Sequence, residues 1–112
     1  MRIVIPIDDN SLTSNVSDTF ARSNYFALVD KENGNLKMVE NPFKAMTKGV
    51  GVKLFEWLVD THKMNALLAF EMGYKVQQMA SEANLQIIIV NEQNKTLEEL
   101  LNFMGIEPDS KI

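Results

Sequence analysis

Three features of the chain predict an α/β fold of three layers, α/β/α, built on a five-stranded mixed sheet. Residues 1–40 read as three successive strands, the apolar period lengthens from two to about four after residue 50, and short apolar runs then alternate with helical repeats. The expected order is βββ-αβαβα.

Residues 1–8 (MRIVIPID) open the chain as a strand, with Ile3, Ile5 and Ile7 alternating with Arg2, Val4 and Pro6. The Ser-, Thr- and Asn-rich stretch that follows reads as loop, with a short turn capped by Ser17. Tyr25–Asp30 (YFALVD) is the second strand. The pair Asn33-Gly34 tolerates positive φ and predicts a hairpin into Leu36–Glu40 (LKMVE). In residues 51–63, Lys53, Glu56, Asp60 and Lys63 share one face, while Val50, Leu54, Leu58 and Phe55, Val59 recur in four-residue steps on the other. That pattern is a helix with one wet face. Residues 65–70 form a short apolar run of buried-strand type, and Val76, Met79, Ala80 and Ala83 take the spacing of a second helix. Residues 86–91 repeat the buried-strand pattern. Thr96-Leu97-Glu98-Glu99 has capping-box spacing, and Leu97, Leu100, Leu101 and Met104 line a last helix closed by Gly105 and Pro108.

Right-handed crossovers place helices on both faces of the sheet. If the first strand pairs in parallel with the strand at 65–70, the strand order is 3-2-1-4-5, an arrangement of ribonuclease-H-like type. Ligands of open α/β sheets sit outside the carboxyl ends of parallel strands. Those ends carry Asp8, Asp9 and Asn10, then Glu71, Met72 and Gly73, then Asn91, Glu92 and Gln93.

Composition excludes several classes of function. At 112 residues the chain fits one domain over its whole length, and 46% hydrophobic with 23% charged residues suits a folded rather than a disordered protein. The absence of cysteine removes disulfides, cysteine-held zinc and iron–sulfur clusters, and thiol catalysis. A net charge of −4 without a basic block argues against nucleic acid as a partner. Apolar runs such as ALLAF and IIIV fall far short of the roughly 20 residues that span a bilayer, so no membrane insertion is expected. The start of the chain reads directly as strand rather than signal peptide, and the expected location is cytoplasmic.

Two places invite chemistry. Asp8 and Glu71 end strands where a two-metal nuclease would hold magnesium, but no further acid is placed beside them, and solvated loop carboxylates are the ordinary alternative. The junction of 44–51 is the stronger candidate. Lys44, Lys48, Gly49 and Gly51 lie where a helix begins, and exposed amides, positive charge and close backbone approach suit an anion. Gly-x-Gly alone is not a dinucleotide fingerprint, and both glycines could instead serve tight packing of the helix start. The lone His62 sits near the end of that helix, where a cation meets the negative end of the dipole, and it has no partner for catalysis. Of the methionines, Met38, Met79 and Met104 read as core fillers, whereas Met46 and Met72 fall at junctions near the ligand edge. Trp57 reads as a core anchor.

The opening MRIVIPIDD, the segment VSDTFARSNYFALVD, Asn41-Pro42, the Gly-x-Gly before a long helix and the closing TLEELL together resemble the dinitrogenase iron-molybdenum cofactor biosynthesis family. The match is most specific at Val16, Ser17, Phe20, Arg22, Tyr25, Phe26 and Asp30. The resemblance implies a small accessory domain of ribonuclease-H-like fold that binds or carries the cofactor or its precursors. It places the site at 16–26 and 44–51. Cluster-holding members often carry histidines in these segments, but here Met46, Thr47 and Thr19 stand in those neighbourhoods, and Ala21 replaces a usual glycine. Two readings follow. One is a non-enzymatic carrier in which Arg22, Lys44 and Lys48 complement an anionic metallocluster, Gly49 and Gly51 open the backbone, and Met46 gives a soft contact. The other is a regulatory or interaction module that binds a small anionic metabolite at the same place, or a protein partner on the edge of the strand at 36–40.

Overall fold

Alternation along the strands divides the apolar side chains between two faces of one sheet. A computed structural model describes residues 1–17, 19–46, 48–69, 74–89 and 95–107, with the backbone alone at Ala69 and residues 74–76. The strands are β1 (Arg2–Ile7), β2 (Tyr25–Asp30), β3 (Leu36–Glu40), β4 (Ala66–Ala69) and β5 (Gln86–Ile89), in the order β3-β2-β1-β4-β5. β1 pairs antiparallel with β2 and parallel with β4. The expected mixed sheet and its order are therefore observed. Pro6 stands in the central strand although it lacks an N–H. The described β1–β4 register covers Ile3 and Val4, and beyond it the Pro6 carbonyl accepts from the Ser17 amide at 2.8 Å.

Ile3, Ile5 and Ile7 of β1 join Ala27, Val29 and Leu68 on one face, under Leu97, Leu100 and Leu101 of α3 (Leu97–Phe103). Val4, Phe26, Leu28 and Leu67 point the other way, onto Leu54, Phe55 and Leu58 and onto Ala80 of α2 (Tyr74–Glu82). Three layers result, but the helices divide differently from the simple expectation. The order β1, β4, β5 advances in one direction, so both right-handed crossovers lie on the same face. The last helix covers the other.

The helix expected over 51–63 also differs in its second half. α1 (Val50–Glu56) is α-helical, but Trp57–Thr61 winds as a π-helix, with the His62 amide returning to the Trp57 carbonyl at 3.2 Å. Lys63 at φ 56° ends it, and the Met64 amide reaches back to Leu58 at 3.1 Å. The hairpin turn uses Gly34 at φ 75°, with its amide on the Asp30 carbonyl at 2.8 Å. At α3 the capping box forms in both directions: Thr96 Oγ1 accepts from the Glu99 amide at 3.2 Å, and Glu99 Oε1 accepts from the Thr96 amide at 3.1 Å. The amides of Leu97 and Glu98 donate to the carbonyls of Ser14 and Leu12, which anchors the loop after β1. Gly105 closes this helix at φ 73°, while Pro108 lies outside the described residues.

Candidate functional site

The site expected at 44–51 is a loop held against the segment before β2. Asn41 follows β3 and is 4% exposed. Its Nδ2 donates to the carbonyls of Ala21 at 3.0 Å and Ser23 at 2.9 Å, and its Oδ1 accepts from the Phe43 amide at 2.9 Å. That last bond is an Asx-turn, which the Asn-Pro pair favours. The Met46 amide then returns to the Phe43 carbonyl at 3.1 Å, closing a tight turn. In the opposite direction, Arg22 donates from one guanidinium nitrogen to the carbonyls of Lys44 at 3.0 Å and Met46 at 2.7 Å. Four side-chain donations thus join two segments distant in sequence.

Arg22, Lys44 and Met46 are brought together in this way, with Arg22 acting as a brace through one guanidinium nitrogen that is committed to backbone oxygens. Lys44 and Lys48 are exposed and Met46 is half-buried. Gly49 precedes α1 at φ 70°, ψ 17°, and a Cβ built there would meet nothing within 4 Å. Only glycine takes such a backbone without strain, and the space beside it is open. No side chain caps α1, and its first turn holds no acid. Gly51 is placed differently: a Cβ there would stand 3.6 Å from Met79 Sδ, so this glycine faces α2 rather than the loop.

Behind the loop lies an aromatic chain. The Phe43 ring meets Trp57 edge-on at 5.8 Å, and Trp57 meets Phe26 at 6.2 Å and His62 at 4.6 Å. Trp57 is the anchor that its sequence position suggested. His62 is not the dipole-neutralising cation expected from its position. Burial first, then Lys37 and Arg2, hold its pKa below the ordinary 6.5 and favour the neutral ring.

Among the described residues no three His, Asp or Glu side chains are grouped to hold a metal ion, and no helix is long and apolar enough to cross a membrane. Glu71, Met72, Gly73, Asn91, Glu92 and Gln93 lie outside the described residues, and with them the second carboxylate of the nuclease arrangement weighed above and the second junction methionine. Sequence reasoning missed Asn41 as the residue that shapes the loop. Its signal was present in Asn41-Pro42, a turn-initiating pair directly after a strand.

A family model described as dinitrogenase iron-molybdenum cofactor matches residues 1–105. The chain is similar to a Thermotoga protein provisionally named NifB and solved by NMR, with a TM-score of 0.76 and 32% identity over 93% of this chain and 86% of that one. It is also similar to the apo form of the orange protein from Desulfovibrio gigas, with a TM-score of 0.81 over 98% of this chain and 93% of that one. At 19% identity this second likeness concerns the fold. No curated protein matches the sequence.

Proposed function

Because the chain belongs to the dinitrogenase iron-molybdenum cofactor family, we propose that it is a non-enzymatic carrier whose cargo is an anionic metal cluster, the cofactor or one of its precursors. One observation carries this reading: Arg22 and Asn41 brace the loop through Met46, leaving Lys44 exposed on it, and a second exposed lysine, Lys48, directly precedes the open backbone of Gly49. Fixing the loop before binding lowers the ordering cost when a ligand arrives.

The donor set decides how such a cargo is held. The chain has no cysteine, and its single histidine packs on Trp57 at the far end of the helical rod. Coordination by thiolate or imidazole is therefore not what this loop provides. Lys44 and Lys48 supply charge, the backbone beside Gly49 supplies a close approach, and Met46 supplies a soft, weak contact. Arg22 serves as a positioning residue. Gly51 contributes helix packing under Met79.

The interaction-module reading has less support at the strand edge. β3 does close the sheet on one side, but Lys37 and Glu40 are exposed along it, and charges on an edge discourage strand addition. Anaerobic mixing of the protein with isolated cofactor, read by native mass spectrometry, tests the carrier reading. A mass increment matching the cluster is expected, and recovery of metal-free protein alone would reject it.

A further inference from the structure

Where β1 begins, Arg2, Lys37 and His62 converge on a recess of about 350 Å³, walled also by Leu28, Asp30 and Asn35. The strand register explains the convergence. Arg2 pairs with Asp30, and Leu28 pairs with Lys37, so these side chains share the face that carries Val4 and Phe26. His62 arrives from above, at the end of the π-helical turn.

The backbone that carries Arg2 and Lys37, and the ring of His62, are held by structure that does not involve the recess. The Arg2 amide donates to Asn65 Oδ1 at 2.9 Å, and the Asn65 amide donates to the Arg2 carbonyl at 2.9 Å. Lys37 sits within the β2–β3 ladder, and the His62 ring rests edge-on against Trp57. The helix end would ordinarily offer its own negative partner, but the Trp57 and Leu58 carbonyls are already paired with the amides of His62 and Met64. Asp30 is the one carboxylate in the wall among the described residues. Its Oδ1 accepts from the Glu32 amide at 3.0 Å, and no ion pair joins it to Arg2 or Lys37 among the described residues. Two permanent cations thus face one carboxylate that is not bound to either. Burial is the largest cause of the depressed His62 pKa, and the positive charges of Lys37 and then Arg2 add to it.

We propose that this recess binds a tetrahedral dianion of the sulfate or phosphate class, with Arg2 and Lys37 supplying charge and His62 taking up a solvent proton as the anion enters. The site is separate from the loop at 41–49 and stands whether or not that loop carries a cluster. An anion between the two cations offsets their share of the depression, while the share due to burial remains, so binding and protonation of His62 favour each other. Arg2 from β1 and Lys37 from β3 act on the ring, Asp30 from β2 lines the same wall, and Asp60 and Lys63 are the charged neighbours of His62 in sequence.

Sulfate is the cleaner probe, because it keeps both charges across the range in which His62 titrates. The imidazole resonances of His62 are followed by NMR against pH, in chloride and in sulfate at matched ionic strength, with phosphate as a second arm. A saturable rise in the His62 pKa with sulfate is expected, with affinity increasing as pH falls. K37Q and R2Q alter exposed side chains and should each weaken sulfate binding by roughly tenfold, the scale of one lost charge-assisted contact. The proposal is overturned if sulfate leaves the His62 titration where chloride leaves it. It is equally overturned if the sulfate effect persists undiminished in K37Q, whose native-like amide spectrum serves as the folding control.

Discussion

Arg22 and Asn41 tie the same two segments together in opposite directions. Arg22 donates from the first segment to the carbonyls of Lys44 and Met46, and Asn41 donates from the second to the carbonyls of Ala21 and Ser23. The pair differs in surroundings. Asn41 is buried, whereas the Arg22 bonds are exposed to water.

That difference sets unequal effects for their removal. Asn41→Ala leaves buried carbonyls without donors and is expected to destabilise by about 1–3 kcal/mol, against about 0.5–1.5 kcal/mol for Arg22→Met. Urea unfolding with unchanged m-values measures both, and equal losses would show that burial does not distinguish the two braces.

The two glycines at the helix start should respond with opposite signs. Gly49→Ala forces a β-carbon into a left-handed backbone and should cost about 1–2 kcal/mol, although the space around it is open. Gly51→Ala places its methyl in ordinary contact with Met79 inside a helix and should gain about 0.5–1 kcal/mol. Thermal unfolding of the two variants decides this. A loss for Gly51→Ala comparable to that for Gly49→Ala would mean that the α1–α2 contact has no room to spare.

Much of the fold could be read from local pattern because its signals are local. Ile3, Ile5 and Ile7 mark one face of a strand, Asn33-Gly34 sets the hairpin, and Thr96 with Glu99 starts the last helix. The π-helical turn could not be read this way. Val50, Leu54 and Leu58 fit a regular helix, and the departure coincides with Trp57 packed between Phe26, Phe43 and His62, contacts that no linear period encodes. The site was legible as a place rather than as roles. Arg22 reads as a ligand cation in sequence, since the carbonyls that occupy it lie 22 and 24 residues away. Gly51 reads as part of a ligand loop because Met79 is equally remote.

His62 gives the folded protein a pH dependence with a defined sign. Its folded pKa lies below the ordinary 6.5, so between those two values the unfolded chain binds more protons. Its contribution is therefore constant above about 6.5, declines as pH falls through that window, and levels off below the folded pKa. Urea unfolding from pH 5 to 8 should show this slope in the native protein and a shallower one in H62Q. Identical slopes would assign the dependence to other groups.

Thr96→Ala removes the cap of α3 and should lower stability by about 1 kcal/mol. The same change should raise the Glu99 carboxyl part of the way toward its ordinary value: the Thr96 amide, the larger of the two bonds that hold it down, remains in alanine, and the hydroxyl bond is lost. Glu99 thus supports the fold at pH above its unfolded pKa, and that support fades as pH drops through the folded one. Carbonyl-detected NMR titration of Glu99 checks the shift, and an unaltered Glu99 pKa in the variant would contradict the capping assignment.

Cluster retention by a charge-reversed loop tests the carrier proposal most directly. Native protein and K44E/K48E, matched in amide spectrum, are mixed anaerobically with isolated iron-molybdenum cofactor, and bound metal is measured after gel filtration at low and high salt. Retention by the native protein that falls with salt and is lost in the variant is the expected result. Equal retention by both proteins, or none by either, would contradict a cargo site built on Lys44 and Lys48.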